Sequence, residues 1–142
     1  MARIGISLEA SSWRGAYVAG ILETFGRRGI FPDIVSGSSA GACNGAAYVA
    51  CNFDLLIDNW IELASEPMFD LRREARRANG GSIFNMSRIF NAALDNGLSA
   101  GSLKRLISAP VELLVACTRI AGDFTGSDYW NDRFLVHYPI AS

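Results

Sequence analysis

The sequence of 142 residues predicts an α/β protein with three layers, in which helices cover both faces of a mainly parallel central sheet. Two observations support this prediction. Short apolar stretches typical of strands alternate with longer stretches that have helical periodicity. No linker, repeat or low-complexity tract divides the chain, so residues 1–142 are expected to form one domain. Strands separated by helices pair in parallel through right-handed crossovers, which places helices against the sheet.

The first strand is predicted over residues 3–8, and a tight loop then leads into a helix from about Arg14 to Arg28. Apolar residues in this helix recur at a spacing that covers one face. Gly29 is expected to end the helix, because it follows two arginines that suit a helix C-terminus.

The second strand begins after Pro32 and runs into Gly-Ser-Ser-Ala-Gly at residues 37–41. This Gly-x-Ser-x-Gly pattern is typical of a strand-to-helix turn that exposes its central serine, here Ser39, in a strained geometry. The flanking glycines let the backbone fold tightly, and the following helix N-terminus favours negative charge on a tetrahedral intermediate. Ser39 is therefore the candidate nucleophile. The pattern alone is also compatible with a turn without catalysis or a phosphate-binding loop.

A helix of small residues is predicted from Ala40 to Cys51, suited to close packing on the sheet. Another helix is expected over residues 53–64, with Asn52 as its N-cap and Pro67 beyond its end.

Three predicted elements complete the sheet domain. A short helix over 102–107 precedes a continuous apolar strand over 111–117, whose pattern indicates a central strand covered on both faces. An alternating run over 133–138 is typical of a further strand and contains His137, the only histidine of the chain.

The middle of the chain contains two stretches with a choice of interpretation. Residues 69–78 form a basic helical run, whose arginines could meet lipid headgroups, although a solvated helix face is the commoner reason for such a run. Residues 83–94 have an apolar helical pattern. Core packing is the default there, and a lid over an acyl pocket is the alternative.

The first fifty residues resemble the patatin-like phospholipase family. The resemblance rests on the first strand, on Arg14-Gly15 in the loop after it, and on the motif at 37–41 followed by Ala-Cys-Asn. It implies that Ser39 attacks a lipid acyl ester, while the Ala40 N–H and N–H groups of the first loop stabilise the oxyanion. Besides Ser39, it implies roles for Ala10, Ser11, Ser12, Trp13, Arg14 and Gly15 in the loop and for Gly37, Ala40 and Gly41 around the serine. For Arg14, bracing of the loop is the favoured role and contact with a phosphate the alternative.

Two departures from the family pattern bear on catalysis. The glycine triplet of the family aligns with residues 10–12, which contain no glycine, so any position there with positive φ costs roughly 1 kcal/mol or more. The family also pairs its serine with an aspartate in an Asp-Gly motif, and no Asp-Gly dipeptide occurs in these 142 residues. The aspartate is therefore expected outside this chain, which makes the domain a partial one. A degenerate, non-catalytic relative is the alternative.

A base within the chain is a separate hypothesis. The order of Ser39, then Asp123 or Asp128, then His137 copies a hydrolase triad. A lone histidine in an alternating run is more often a solvent-facing strand residue, and the acids, with Asp132, are most simply surface residues.

The amino-acid composition argues against several other classes of protein. Half of the residues are hydrophobic and 19% are charged, which argues against disorder, and a net charge of −1 provides no field to attract nucleic acid. The three cysteines lack metal-ligand spacing and lie among apolar residues, so we expect buried free thiols in a reducing compartment, no metal and no cofactor. Without a signal-peptide pattern or a stretch of roughly 18 apolar residues, a cytoplasmic location is expected, and peripheral contact with a membrane surface is the alternative.

The sequence therefore predicts a serine acyl hydrolase of patatin-like type that acts on a lipid acyl ester. One alternative is a catalytically impaired module that binds acyl lipids or a partner, because the loop lacks glycines and the Asp-Gly motif is absent. The other is an α/β domain that binds a phosphate or nucleotide, which ranks last because the turn has no P-loop lysine.

Overall fold

The structure is a computed structural model that describes residues 2–65, residue 72, residues 100–119 and residues 134–139. Of the basic stretch 69–78 only residue 72 is described, and the apolar stretch 83–94 lies outside the described residues. The strands are β1 (Gly5–Leu8), β2 (Ile34–Gly37), β3 (Glu112–Arg119) and β4 (Phe134–Pro139). The α-helices are α1 (Gly15–Arg27), α2 (Ala40–Val49), α3 (Phe53–Ser65) and α4 (Ala100–Ile107), and a 3₁₀ turn over Ser12–Arg14 precedes α1.

The four described strands form one sheet in the order β1-β2-β3-β4. The first three strands are parallel, and β4 runs antiparallel to β3. The predicted α/β class with a mainly parallel sheet is therefore confirmed, and β3 lies between two other strands of the sheet. Leu8 lies opposite Gly37 and Gly37 opposite Val115, so the carboxyl ends of β1 and β2 finish at the same level.

Helix α2 forms the centre of the helical layer, since it contacts the three parallel strands and also α1, α3 and α4. A Cβ on Gly45 would lie only 3.1–3.3 Å from side-chain atoms of Leu8, Val35 and Leu113. The backbone of α2 therefore packs directly on the sheet, as its small residues predict. The largest fully buried side chains surround this contact and are Tyr48, Leu22, Leu56 and Val35.

The cysteine prediction is wrong in one respect. Cys43, Cys51 and Cys117 are free thiols, but all three residues are exposed instead of buried. Apolar neighbours in the sequence do not guarantee burial, because a helix such as α2 turns only part of its surface towards the sheet. Cys51 also has a positive φ of 52°, so α2 ends at Val49, two residues earlier than predicted.

Among the helices of the described residues, none combines the length and the hydropathy of a membrane span.

Candidate active site

The turn between β2 and α2, residues 37–41, is here called the elbow. Ser39 lies at its apex with φ 53° and ψ −124°, a combination that a residue with a side chain rarely adopts. Such a residue costs of order 1–3 kcal/mol and persists only where the surroundings hold it. A serine before a helix commonly caps it with the hydroxyl, but Ser39 makes no capping hydrogen bond and is exposed. Its hydroxyl is therefore presented outwards.

The two glycines of the elbow lie where a side chain has no room. A Cβ on Gly37 would lie 2.6 Å from the carbonyl oxygen of Gly41, which means that the turn folds back onto itself. A Cβ on Gly41 would lie 2.5 Å from the carbonyl oxygen of Leu8 and 2.6 Å from that of Glu9. The elbow therefore packs, backbone against backbone, on the end of β1.

The first amides of α2 differ in their hydrogen bonding. The N–H groups of residues 41–43 donate back to the carbonyls of Ser38 and Ser39 at 2.9–3.2 Å. Among the described residues, the N–H of Ala40 donates to no backbone carbonyl. An unpaired amide thus lies beside the Ser39 hydroxyl at a helix N-terminus, where partial positive charge accumulates.

Residues 9–15, here called the first loop, join β1 to α1. The N–H of Ser38 donates to the carbonyl of Leu8 at 3.3 Å, which ties the elbow to the start of this loop. Within the loop, the N–H of Arg14 donates to the carbonyl of Ser11 at 3.1 Å. Ser12 has a positive φ of 50°. Ser11 is only 3% exposed, and its hydroxyl has no hydrogen-bond partner among the described residues.

The end of the first loop also contacts the elbow. Gly15 is buried, and a Cβ there would lie 3.1 Å from the Cβ of Ala40 and would clash with the ring of Trp60. Trp13 lies at a ring-centroid distance of 6.2 Å from Trp60 and is 42% exposed. The structure therefore brings the predicted loop residues and the predicted elbow residues together at one edge of the sheet.

Arg14 contacts the first loop itself. Its guanidinium lies 3.5 Å from the carboxylate of Glu9, so the pair spans the loop from one end to the other. Both side chains are largely exposed, and such a pair contributes at most about 1 kcal/mol. The bracing role of Arg14 therefore stays a prediction.

The structure gives little support to the candidate triad of Ser39, an aspartate and His137. His137 lies in β4 opposite Ala116, and β4 is separated from β2 by β3. Neighbouring strands lie about 4.8 Å apart, so the backbones of β4 and β2 are about 10 Å apart. Asp123, Asp128 and Asp132 lie outside the described residues.

Sequence reasoning missed one polar contact at this site. Asn44 in α2 is 4% exposed, and its Nδ2 donates to the carbonyl of Gly15 at 2.8 Å. Trp60 Nε1 donates in turn to Asn44 Oδ1 at 2.9 Å. The only signal in the sequence is an asparagine inside a helix of small residues, four positions after Ala40.

An open groove of about 470 Å³ runs along the outer face of α1. Its lining consists of Ala16, Tyr17, Gly20, Ile21, Thr24 and Phe25. None of these residues belongs to the elbow or to the first loop, so the groove is separate from Ser39.

Fold and site together define an α/β protein with an exposed serine on a strained turn, next to a loop that ends the neighbouring strand. The sequence profile described as Patatin-like phospholipase matches residues 6–138. The chain therefore belongs to this family, as the resemblance of its first fifty residues indicates, and at a coarse level it falls among the lipid acyl hydrolases. A search of curated proteins and a search of solved structures each found no significant match.

Proposed function

We propose that this chain is the nucleophile-bearing part of a serine hydrolase that cleaves acyl esters of lipids. Ser39 Oγ bonds to the ester carbonyl carbon while the carbon–oxygen bond to the alcohol breaks, and the serine proton passes through a base to the departing alcohol. Water then releases the fatty acid and regenerates the serine. The base is an aspartate outside these 142 residues.

The observation that carries the proposal is the backbone of Ser39. A residue with φ 53° and ψ −124° is strained, and the structure holds it there with both elbow glycines packed against backbone. Strain of this kind concentrates at functional sites, because it presents a side chain that relaxed backbone would not.

The oxyanion site of the proposal consists of backbone amides. The Ala40 N–H is the first donor, because it has no backbone partner among the described residues and follows the nucleophile directly. The second donor comes from the first loop, which contacts the elbow at both of its ends. One such donor contributes about 10²–10³ in rate, so a misplaced loop would leave a slow enzyme.

Labelling with a fluorophosphonate probe tests the proposal. In this reaction the Ser39 Oγ–phosphorus bond forms and fluoride leaves, and the hydroxyl proton goes to solvent, because the proposed aspartate lies outside these 142 residues. We expect the 142-residue protein to be labelled and the Ser39→Ala variant to remain unlabelled. Ser38→Ala is the matched control, because it removes the adjacent hydroxyl and keeps the Ser38 N–H bond to Leu8. Turnover of p-nitrophenyl esters of short and long acyl chains then measures hydrolysis itself.

A second candidate function rests on the first loop. The positive φ of Ser12 and the unpaired, buried hydroxyl of Ser11 favour a catalytically impaired module that binds acyl lipids. A folded sample that binds fatty-acid vesicles but takes up no probe would support this module and contradict the hydrolase.

A further inference from the structure

The carboxamide of Asn44 in α2 forms hydrogen bonds with two other elements, the end of the first loop and α3. Its Nδ2 donates to the Gly15 carbonyl at the end of the first loop, and its Oδ1 accepts from the indole N–H of Trp60 in α3. A carbonyl can only accept and an indole N–H can only donate, so one orientation of the amide satisfies both partners. The Asn44 side chain is thus fixed from two sides.

The position of Asn44 in α2 relates this bridge to the nucleophile. Asn44 lies four residues after Ala40, whose N–H is the proposed oxyanion donor, and therefore lies one turn below it on the same side of the helix. Gly15, on the other side of the bridge, approaches the Cβ of Ala40. The hydrogen bond consequently sets the distance between the end of the first loop and the first turn of α2.

The start of the first loop is already held by other contacts. The backbone of Gly41 packs against the carbonyls of Leu8 and Glu9, and the Ser38 N–H donates to Leu8. The end of the loop is held by the hydrogen bond from Asn44 and by packing of Gly15 on Trp60. In the proposed mechanism an amide between these two ends points at the oxyanion. Its direction is defined only when both ends of the loop are fixed.

We propose that Asn44 is a positioning residue of the acyl-transfer site: oriented by Trp60, it holds the end of the first loop against α2 so that a loop amide faces the oxyanion beside Ser39. This inference rests on the proposed function. Asn44 touches neither the substrate nor the Ser39 hydroxyl in the proposal, and it acts through the backbone of Gly15. The predicted effect is on the reaction step and not on probe binding.

Asn44→Asp is the sharpest test, because it keeps the size and the acceptor of the side chain and removes its donor. With a fluorophosphonate, we expect the maximal labelling rate to fall about 10- to 100-fold with little change in the probe concentration for half-maximal rate. Lowering the pH protonates the new carboxyl, which then offers a donor and an acceptor like the amide. The labelling rate of N44D relative to wild type should therefore recover towards low pH.

Asn52→Asp is the matched control, since Asn52 Nδ2 donates to Ser102 Oγ at 3.0 Å near the other end of α2. It should label at the wild-type rate. Trp60→Phe covers the case in which N44D does not fold: it removes only the indole donor, and we expect a smaller loss of labelling, by about 3- to 10-fold. Wild-type labelling of N44D, or of Trp60→Phe where N44D is unfolded, overturns the proposal.

Amide hydrogen exchange separates this proposal from the proposed function. In Asn44→Asp, the amides of Arg14 and Gly15 should exchange about tenfold faster than in Asn52→Asp, because a local opening becomes easier when one hydrogen bond is lost. Where N44D does not fold, Trp60→Phe takes its place in this comparison. If wild type takes up no probe, the hydrolase proposal fails, and exchange alone decides the positioning. Equal exchange in the positioning and control variants overturns it.

Discussion

The elbow and the first loop meet at one edge of the sheet, but they are built differently. In the elbow, glycine occupies the two positions where a Cβ would clash with backbone, and the strained residue is Ser39, the proposed nucleophile. In the first loop, the positive φ belongs to Ser12, and the hydroxyl of Ser11 is buried without a partner among the described residues. In the elbow, glycine thus lies at the positions where packing leaves no room for a side chain. In the first loop, a serine occupies a position where glycine would be unstrained.

The difference shows which part of the site tolerates sequence change. The elbow is held by backbone contacts that no side chain can replace, so its glycines have no substitutes. The end of the first loop is held by a hydrogen bond from the Asn44 side chain, which offsets part of the strain in the loop backbone. We infer that strain in the elbow serves the reaction, while strain in the loop is a cost that neighbouring contacts offset.

The largest expected effect concerns the elbow. Gly41→Ala places a Cβ 2.5 Å from the Leu8 carbonyl and 2.6 Å from the Glu9 carbonyl, both of which are backbone atoms that cannot rotate away. We expect a loss of roughly 2–4 kcal/mol in the free energy of unfolding and loss of labelling at Ser39. Urea unfolding followed by circular dichroism measures the first, and the fluorophosphonate measures the second.

Gly20→Ala is the matched control for this substitution. Gly20 lies inside α1, and a Cβ there would meet nothing within 4 Å. The alanine should stabilise the protein by about 0.5–1 kcal/mol, since glycine is the poorer helix former. If both variants changed stability alike, close packing would not be the reason for the elbow glycine.

Tyr48 anchors α2 on the side of the elbow strand, as Asn44 does on the side of the first loop. Tyr48 is fully buried, its hydroxyl donates to the carbonyl of Ile30 ahead of β2, and its ring stacks on Phe31. Tyr48→Phe leaves that carbonyl without its partner, so we expect a loss of about 1–2 kcal/mol in the free energy of unfolding. Tyr17→Phe, at a side chain that is 77% exposed, should change it by less than about 0.5 kcal/mol.

The same anchor has a pH dependence. Burial first, and the electrostatic effect of nearby Cys51 second, raise the pKa of Tyr48 above its usual range. The unfolded chain releases the tyrosine proton near pH 10, and the folded protein releases it only at higher pH. The stability from Tyr48 is therefore present below about pH 10 and is lost as pH rises through the folded pKa. Urea midpoints between pH 8 and 11 should fall more steeply for wild type than for Tyr48→Phe, and parallel curves would contradict this assignment.

How much of this could be read from the sequence differs between the two regions. The strands, α1 and the serine turn were predictable, because periodicity and the Gly-x-Ser-x-Gly spacing are local signals. The bridge from Gly15 through Asn44 to Trp60 joins residues 29 and 16 positions apart, so it depends on how three helices pack. The sequence shows that residues 10–12 contain no glycine, so a positive φ there would be costly. Only the structure assigns that φ to Ser12. The exposure of Cys43 likewise follows from the direction in which α2 faces the sheet.

The smallest effect tests the first loop directly. Ser12→Gly removes the Cβ at φ 50°, which relieves about 1–2 kcal/mol of left-handed strain, and adds about 0.5–1 kcal/mol of chain entropy to the unfolded state. We expect a net gain of about 0.5 kcal/mol in the free energy of unfolding. Ser7→Gly is the control, since Ser7 is an exposed residue of β1 whose extended backbone gives glycine no advantage, and it should lose about 0.5–1 kcal/mol. Equal losses in the two urea titrations would mean that Ser12 carries no strain, and the contrast between loop and elbow would then rest on Ser11 alone.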